Sequence, residues 1–402
     1  MMAERGNPVV SNESELYLTG AGPLFRWMQR FGGARKWQPT VRRRIIISLL
    51  ITWFPMCLFA FLQGHALGPT PRGSFLLDFA TYVRFFVGLP LLFIAEALIG
   101  QRLTRAGLKF VHDGLVREED YPAFEQAIAR LARRRESIWA ALVLVALAVV
   151  GAWKFTAEAA TGVNLAGWQS VIRPEGYGFR FSLAGLWNHL VALPVVLLLL
   201  YRWLWRILIW TFFLRDVARM NLELEPAHAD RAGGLGFLGV AHQSFGILVF
   251  GVSSVICAGI AFQIVYEGAS LEKFQVPLVG LLVVMEILFL GPLLMFSPVM
   301  VRARRAALMT YSTLEVRYKR DFQRKWIESP GPKNEPLLGS PDIQSMADLG
   351  NTFRFISEMR IAPFGNRTMI GLALATALPV LPLFLLVMPI REIINLLVKA
   401  AF

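Results

Sequence analysis

The sequence predicts an all-α, polytopic integral membrane protein with about seven transmembrane helices and a helical cytoplasmic domain. Two observations predict this: long apolar stretches recur along the 402 residues, and Lys and Arg are concentrated in alternate connections between them. Each stretch has close to the ~20 residues that cross a hydrocarbon core of about 30 Å. The predicted spans are Ile45–Leu67, Phe75–Gly100, Ser137–Phe155, Leu183–Leu204, Gln243–Tyr266, Val276–Val301 and Thr368–Ile390.

The basic residues predict how these spans are oriented. Of the 41 Lys and Arg residues, 33 lie in 1–44, 101–136, 202–242 and 302–367, whereas seven lie on the other side and Arg84 lies within a span. Loops rich in Lys and Arg stay in the cytoplasm. We therefore expect the N-terminus inside and, after seven spans, the C-terminus outside.

This topology divides the chain into four regions. They are a cytoplasmic N-terminal segment at 1–44, a membrane domain at 45–300 with cytoplasmic loops 101–136 and 205–242, a cytoplasmic helical region at 301–367, and a Pro-rich last span with the C-terminus at 368–402. Within the first region, apolar residues on one face of 23–31 predict a short interfacial helix.

The net charge of +13 fits a basic face against the anionic lipids of the cytoplasmic leaflet. The basic residues follow the span ends and form no groove interleaved with aromatic residues, which argues against nucleic-acid binding. Cys57 and Cys257 fall inside spans without the spacing of a metal site, so we expect no disulfide, metal or cofactor.

Three cytoplasmic helices are predicted. Asp120 is a candidate N-cap for the first, and Ser340 with Pro341 begins the third. The second, about 302–327, carries an aromatic-rich stripe of Tyr311, Leu314, Tyr318, Phe322 and Trp326. The stripe can pack inside the chain, or it can pack on a second copy, and we hypothesise a homo-oligomer.

The chain resembles a group of bacterial multi-spanning inner-membrane proteins. The resemblance lies in the glycine-rich run from His228 to Gly239, in the segment from Asp342 to Leu349, and in the Pro-rich end from Ile361 to Lys399. It implies a bacterial inner-membrane protein and brings no activity with it.

Ionisable residues inside spans are the first functional candidates, because burying a charge in hydrocarbon costs at least ~2.5–3.5 kcal/mol. The candidates for an ion or substrate path are Arg84, Glu96, His189 and Glu286. Arg84 and Glu286 lie at similar predicted depths, so they could pair. The alternative is a structural ion pair that locks two helices and transports nothing.

The glycine-rich segment before the fifth span is a candidate site for an anion or a lipid headgroup. Its residues are His228, Asp230, Arg231, Gly234, Gly236 and Gly239. Free N–H groups at a helix start can hold a phosphate, although no strand precedes this G-x-G-x-x-G as a dinucleotide site requires. The alternative is a tight connection that packs against the bundle.

Two classes of function follow. The first is a channel or transporter for an ion or small solute, supported by the intramembrane charges and by the three prolines of the last span, which make a straight helix improbable. The second is a non-transporting scaffold or signalling component that docks a partner through its cytoplasmic helices. A lipid-modifying enzyme is the third class of function. It ranks last because the sequence contains neither G-x-S-x-G nor H-E-x-x-H, and we identify no catalytic residue.

Overall fold

The computed structural model describes residues 41–68, 70, 73–160, 167–172, 179–328 and 339–387. The expected interfacial helix at 23–31 and the C-terminus lie outside the described residues. The described chain is helical apart from a short antiparallel ribbon, in which β1 (Ser170–Ile172) pairs with β2 (Phe179–Phe181).

The helices follow one another with short connections. They are α1 Val41–Leu62, α2 Phe79–His112, α3 Tyr121–Arg135, α4 Ile138–Ala160, α5 Leu183–Ala218, α6 Gly236–Gln243, α7 Gly246–Glu267, α8 Gln275–Leu290, α9 Ser297–Trp326, α10 Pro341–Ser357, α11 Asn366–Ala377 and α12 Leu381–Val387. Short 3₁₀ turns are Phe75–Leu77, Glu118–Asp120, Leu271–Phe274, Gly291–Phe296 and Leu378–Val380. Two turns of π-helix, Val83–Gly88 and Asn188–Ala192, interrupt α2 and α5.

The prediction of a multi-pass membrane protein is confirmed at the level of its helices. Six helical units of the described chain are long and apolar enough to cross a membrane, and the number is seven if α3 and α4, bent by 44° to each other, count as one span. Their outward side chains are apolar: Trp139 is 79% exposed and Val276 is 82% exposed. Lipid tails solvate such a surface, whereas water does not.

Span boundaries differ from the prediction for local reasons. The second span begins at Phe79 because the Asp78 carboxylate accepts the backbone N–H of Thr81 at 3.0 Å and caps the helix. The helices of the second and fourth predicted spans continue past their predicted inner ends to His112 and Ala218, and the helix of the sixth continues to Trp326, where the sequence predicts a helix at about 302–327. Helical hydrogen bonding continues there because a packed face stabilises the helix outside the apolar stretch.

The connections assigned to one side of the membrane meet each other. Val116 pairs with Leu222 in an isolated bridge, and the Arg130 guanidinium lies 3.0 Å from the Asp216 carboxylate. At the opposite end, the Leu183 N–H donates to the Gln63 side chain at 2.7 Å. This arrangement fits the alternation of the spans; which end faces the cytoplasm stays a prediction.

The main core lies at the end where α2, α3, α5 and α6 come together. Phe110, Phe124 and Phe213 are fully buried there and contact one another edge to face or tilted. His242 is buried with them, and its Nε2 accepts the indole N–H of Trp210 at 3.0 Å. Its Nδ1 therefore carries the proton and donates to the Phe289 carbonyl at 2.6 Å.

Helices α9 and α10, the second and third of the helices predicted to be cytoplasmic, form a hairpin. Helices α9 and α10 pack on each other, and the Tyr318 hydroxyl donates to the Asp342 carbonyl at 3.0 Å. The Trp326 indole N–H donates to the Asp342 carboxylate at 2.9 Å. The aromatic stripe thus contacts α10 of its own chain, and Ser340 caps α10 as predicted. The homo-oligomer remains a prediction.

The last span is broken, as its prolines predict. Helix α11 ends at Ala377, a 3₁₀ turn containing Pro379 follows, and α12 resumes at Leu381. Proline lacks an N–H and clashes with the preceding turn, which accounts for the loss of regular α-helical hydrogen bonding at Pro379. The turn lines an apolar cavity of about 540 Å³ between α2, α7 and α12.

Candidate functional site

Glu96 lies among three arginines from two other helices, a group that we name the Glu96 cluster. Arg44 near the start of α1 donates to Oε2 at 2.6 Å, and Arg202 donates to Oε1 at 3.5 Å. Arg206, one turn further along α5, donates to the same Oε1. Residues four apart share one helix face, which explains why both arginines reach one carboxylate oxygen.

The Glu96 cluster is largely buried and carries excess positive charge. The side chain of Glu96 is 6% exposed and that of Arg206 is 11% exposed, whereas Arg44 and Arg202 are each 30% exposed. Three guanidinium groups face one carboxylate, so the cluster has a net charge of +2. Burial strengthens electrostatic interactions because solvent screening falls.

Asp78 anchors a second buried group at the N-terminal end of α2. Its carboxylate accepts the Thr81 hydroxyl at 2.8 Å and the Trp168 indole N–H at 3.0 Å. Both Asp78 and Trp168 are buried. Asp78 also interacts electrostatically with Arg84, six residues further along the chain.

Arg84 and His189 each lie on a π-helical turn, Val83–Gly88 and Asn188–Ala192. The positive charge of Arg84 acts electrostatically on His189. A proline follows each turn, at Pro90 and Pro194, and the wider turn accommodates the proline ring against the carbonyl four residues earlier. Such turns are frequent at functional sites.

The expected pair between Arg84 and Glu286 is not formed among the described residues. Arg84 interacts with Asp78 and His189, and both carboxylate oxygens of Glu286 are buried without a hydrogen-bond partner in the described chain. The prediction failed because similar depth does not bring two helices together. The four path residues therefore separate into Arg84 with His189, Glu96 with its arginines, and Glu286 apart.

Apolar side chains separate the Glu96 cluster from Arg84. Leu89 and Phe93 lie between them on α2 and are buried, and both belong to a hydrophobic cluster that includes Met56 and Ala192. The described residues therefore form no continuous polar path along α2 in this conformation.

The glycine-rich segment is filled by its own carboxylate. Asp230 accepts the N–H groups of Ala232 at 2.7 Å, Gly234 at 3.2 Å and Gly236 at 2.8 Å. Those donors are the ones that an external anion would need. The anion or headgroup site predicted at His228, Asp230, Arg231, Gly234, Gly236 and Gly239 stays a prediction, and an anion there would have to compete with Asp230 for these donors.

The alternative, a tight connection, describes this segment better. Arg360 donates to the Asp230 carbonyl at 2.6 Å, and Arg231 lies 3.2 Å from the Glu358 carboxylate. A Cβ on Gly239 would approach the Pro363 carbonyl oxygen to 2.8 Å, so only glycine fits. Burial alone would raise the pKa of Asp230, but the N–H donors and His228 hold it below its ordinary value.

Sequence reasoning missed Arg44, Arg202 and Arg206 as partners of Glu96. Arg202 and Arg206 stand four residues apart among tryptophans, which indicated only a position at headgroup level. Their convergence with Arg44 depends on three helices and has no local signal. Among the described residues, no group of three His, Cys, Asp or Glu side chains could hold a metal ion.

Comparison with protein-family models, curated proteins and solved structures finds no match for this chain.

Proposed function

We propose that the protein transports a small anionic solute across the membrane. One observation carries the proposal: the Glu96 cluster has two more positive charges than negative ones. Keeping uncompensated charge in a largely buried cluster at the edge of the hydrocarbon core is costly, which makes the cluster a candidate for a functional site. The sign of the excess favours an anion over a cation.

The helix irregularities support a moving membrane domain. Helices α2 and α5 each change hydrogen-bond register at a π-helical turn, and the last span is interrupted at Pro379. Discontinuous helices are common around the substrate sites of transporters. The apolar packing at Leu89 and Phe93 corresponds, in this proposal, to a closed conformation.

Flux measurements test the proposal. Liposomes that contain the purified protein should show saturable uptake of a radiolabelled anion such as phosphate, sulfate or chloride. Their uptake of Na⁺ and K⁺ should stay at the level of liposomes without protein. Arg206→Gln should lower the anion uptake about ten-fold or more, because it removes a charge-assisted hydrogen bond. Arg215→Gln, an exposed position on the same helix, is the matched control.

Saturable cation uptake, or no saturable uptake of any anion by folded protein, would contradict the transport proposal. Equal effects of Arg206→Gln and Arg215→Gln would remove the Glu96 cluster from the pathway.

A docking role is the second candidate, and a separate observation favours it. Leu271–Trp326 forms one helical unit of 56 residues, about 84 Å long, which exceeds the ~30 Å hydrocarbon core. On α9, Met309 is 74% exposed and Val316 is 48% exposed, and Ile327 directly after its end is 71% exposed. Apolar side chains grouped on a protruding helix are typical of contact surfaces.

Site-specific cross-linking tests the docking role. A photo-reactive residue at Met309 should cross-link in intact cells, whereas one at Ala347, exposed on α10, should not. An adduct of twice the chain mass would identify a second copy, in line with the predicted homo-oligomer. The absence of a Met309-specific adduct would exclude the docking role.

A further inference from the structure

The Glu96 cluster contains more hydrogen-bond donors than its carboxylate accepts. Each guanidinium has five N–H donors, and Glu96 accepts a bond from each of the three arginines. The side chains of Arg44 and Arg202 are each 30% exposed, so part of each lies at the surface of the described chain. The carboxylate itself is 6% exposed, so the accessible face presents donors and positive charge.

Aromatic rings hold two of these arginines in fixed orientations. The Arg44 guanidinium lies 4.9 Å from the centre of the Phe93 ring, and the Arg206 guanidinium lies 5.2 Å from that of Trp203. The Trp203 indole N–H donates to the Leu92 carbonyl at 3.1 Å, which fixes the ring in turn. Guanidinium groups held in this way match the oxygens of a phosphate group, which they bind through paired N–H donors.

The position along the helices brings the Glu96 cluster near one membrane surface. Glu96 lies 17 residues after Phe79, or about 26 Å along α2, and Arg206 lies 23 residues after Leu183, or about 35 Å along α5. A hydrocarbon core is ~30 Å thick. Glu96 and Arg206 therefore lie close to the headgroups on the side opposite to the one where α2 and α5 begin. Phosphate groups of lipids and of solutes are both available at that level.

We propose that Arg44 and Arg202 are the ligand contacts of a phosphate-binding site, and that Arg206 and Glu96 hold them in position. A phosphate monoester or inorganic phosphate carries a charge of about −1.5 to −2 at neutral pH, which matches the net charge of the cluster. The inference rests on the proposed transport function in treating phosphate as the substrate class of that site. Binding itself can be measured without transport.

Calorimetric titration of inorganic phosphate tests the site in the full-length protein, reconstituted in phosphatidylcholine nanodiscs at low salt. Arg44→Gln and Arg202→Gln should each weaken binding about ten-fold or more, the effect of removing one charge-assisted hydrogen bond. Arg215→Gln should bind as the parent protein does. Loss of affinity in the control as well would overturn the assignment, because the effect would then be general.

Glu96→Gln separates a ligand site from a purely structural cluster. It raises the net charge of the cluster by one unit, and the amide oxygen of Gln still accepts hydrogen bonds from the arginines and keeps them in position, so phosphate should bind about three-fold tighter or more. If the cluster only stabilises the fold, Glu96→Gln should leave phosphate binding unchanged or weaken it. Either result would contradict the proposed phosphate-binding site. Thermal unfolding of each variant identifies any that do not fold, and Arg44→Gln gives an independent test.

A second titration distinguishes a free solute from a lipid headgroup. The same nanodiscs are prepared with phosphatidic acid, and bound lipid is counted by native mass spectrometry. Binding of inorganic phosphate that depends on Arg44 and Arg202 supports a solute site, and binding of phosphatidic acid alone with the same dependence supports a headgroup site. If neither ligand depends on these arginines, the inference is wrong; if phosphate binds but does not cross liposomes, only the transport proposal fails.

Discussion

The carboxylate of Asp230 occupies the position at which an external anion would bind at a glycine-rich helix start. Its two oxygens accept three backbone N–H groups between 2.7 and 3.2 Å. Gly233 and Gly234 have positive φ values of 65° and 91°, and this backbone turns the N–H groups towards one point. The turn is therefore complete without a ligand.

Asp230→Asn should destabilise the protein by about 1–3 kcal/mol, because the amide leaves buried donors without an acceptor of equal strength. The side chain of Asp230 is 22% exposed. Thermal unfolding in nanodiscs measures the loss, and Asp113→Asn, in an exposed pair with Lys109, should change stability by less than about 1 kcal/mol. Equal losses in both variants would refute the role given to Asp230.

The lowered pKa of Asp230 gives this contribution a definite pH dependence. The folded-state pKa lies below its ordinary value, so the unfolded chain takes up the proton first as pH falls. The stabilisation is complete above the unfolded pKa of about 4 and is lost as pH falls through the folded value. The stability difference between the parent protein and Asp230→Asn should therefore shrink only under acidic conditions.

At the level of single residues, the sequence identified Glu96 but not its partners. The arginines that contact Glu96 are 52, 106 and 110 residues away along the chain. Only the packing of α1 and α5 against α2 brings them together. Depth along a span is readable from sequence, whereas rotation about the helix axis is not, which is also why the pair between Arg84 and Glu286 was wrong.

At the level of helices, close packing of α2 on α7 depends on two glycines. A Cβ on Gly88 would lie 2.5 Å from Cγ2 of Val255, and a Cβ on Gly251 would lie 3.1 Å from Cβ of Leu91. Small residues let membrane helices approach closely and gain van der Waals contact. Gly88 is also the last residue of the π-helical turn that carries Arg84.

Gly88→Leu should force α2 and α7 apart and lower stability by about 1–3 kcal/mol through overpacking. The matched control is Gly259→Leu on α7, where a Cβ would meet no atom within 4 Å. Thermal unfolding of both variants, with phosphate binding as a second measurement, checks the expectation. A larger loss in Gly259→Leu than in Gly88→Leu would show that the assigned interface is wrong.

Helix ends with a polar cap were predictable, and helix interiors with a π-helical turn were not. Ser340 caps α10 through the Asp342 N–H, as its sequence signal predicts. Pro90 and Pro194 signalled an irregularity, but the sequence does not say whether a proline produces a kink or a wider turn. Asp120 precedes α3, yet its carboxylate accepts the Asn221 N–H at 3.2 Å and joins two connections instead.

At the level of the whole molecule, the orientation follows from the basic residues and can be tested directly. A reporter inserted at residue 335 should read as cytoplasmic, and one fused after Phe402 should read as external, because 33 of the 41 Lys and Arg residues are assigned inside. Paired phosphatase and fluorescent-protein fusions measure both positions. A cytoplasmic reading after Phe402 would mean an even number of spans.

The helical unit Leu271–Trp326 is long enough to couple the two surfaces of the membrane. Leu271–Met300 is about 45 Å long and contains the part that crosses the ~30 Å hydrocarbon core, and the 26 residues after Met300 add about 39 Å. If the rod tilts about the membrane boundary, a displacement at its free end reaches the opposite surface with similar amplitude and reversed direction. The 3₁₀ turn Gly291–Phe296 interrupts its α-helical hydrogen bonding and begins five residues after Glu286. A movement of the hairpin would therefore be passed along the unit to the turn beside the buried carboxylate of α8.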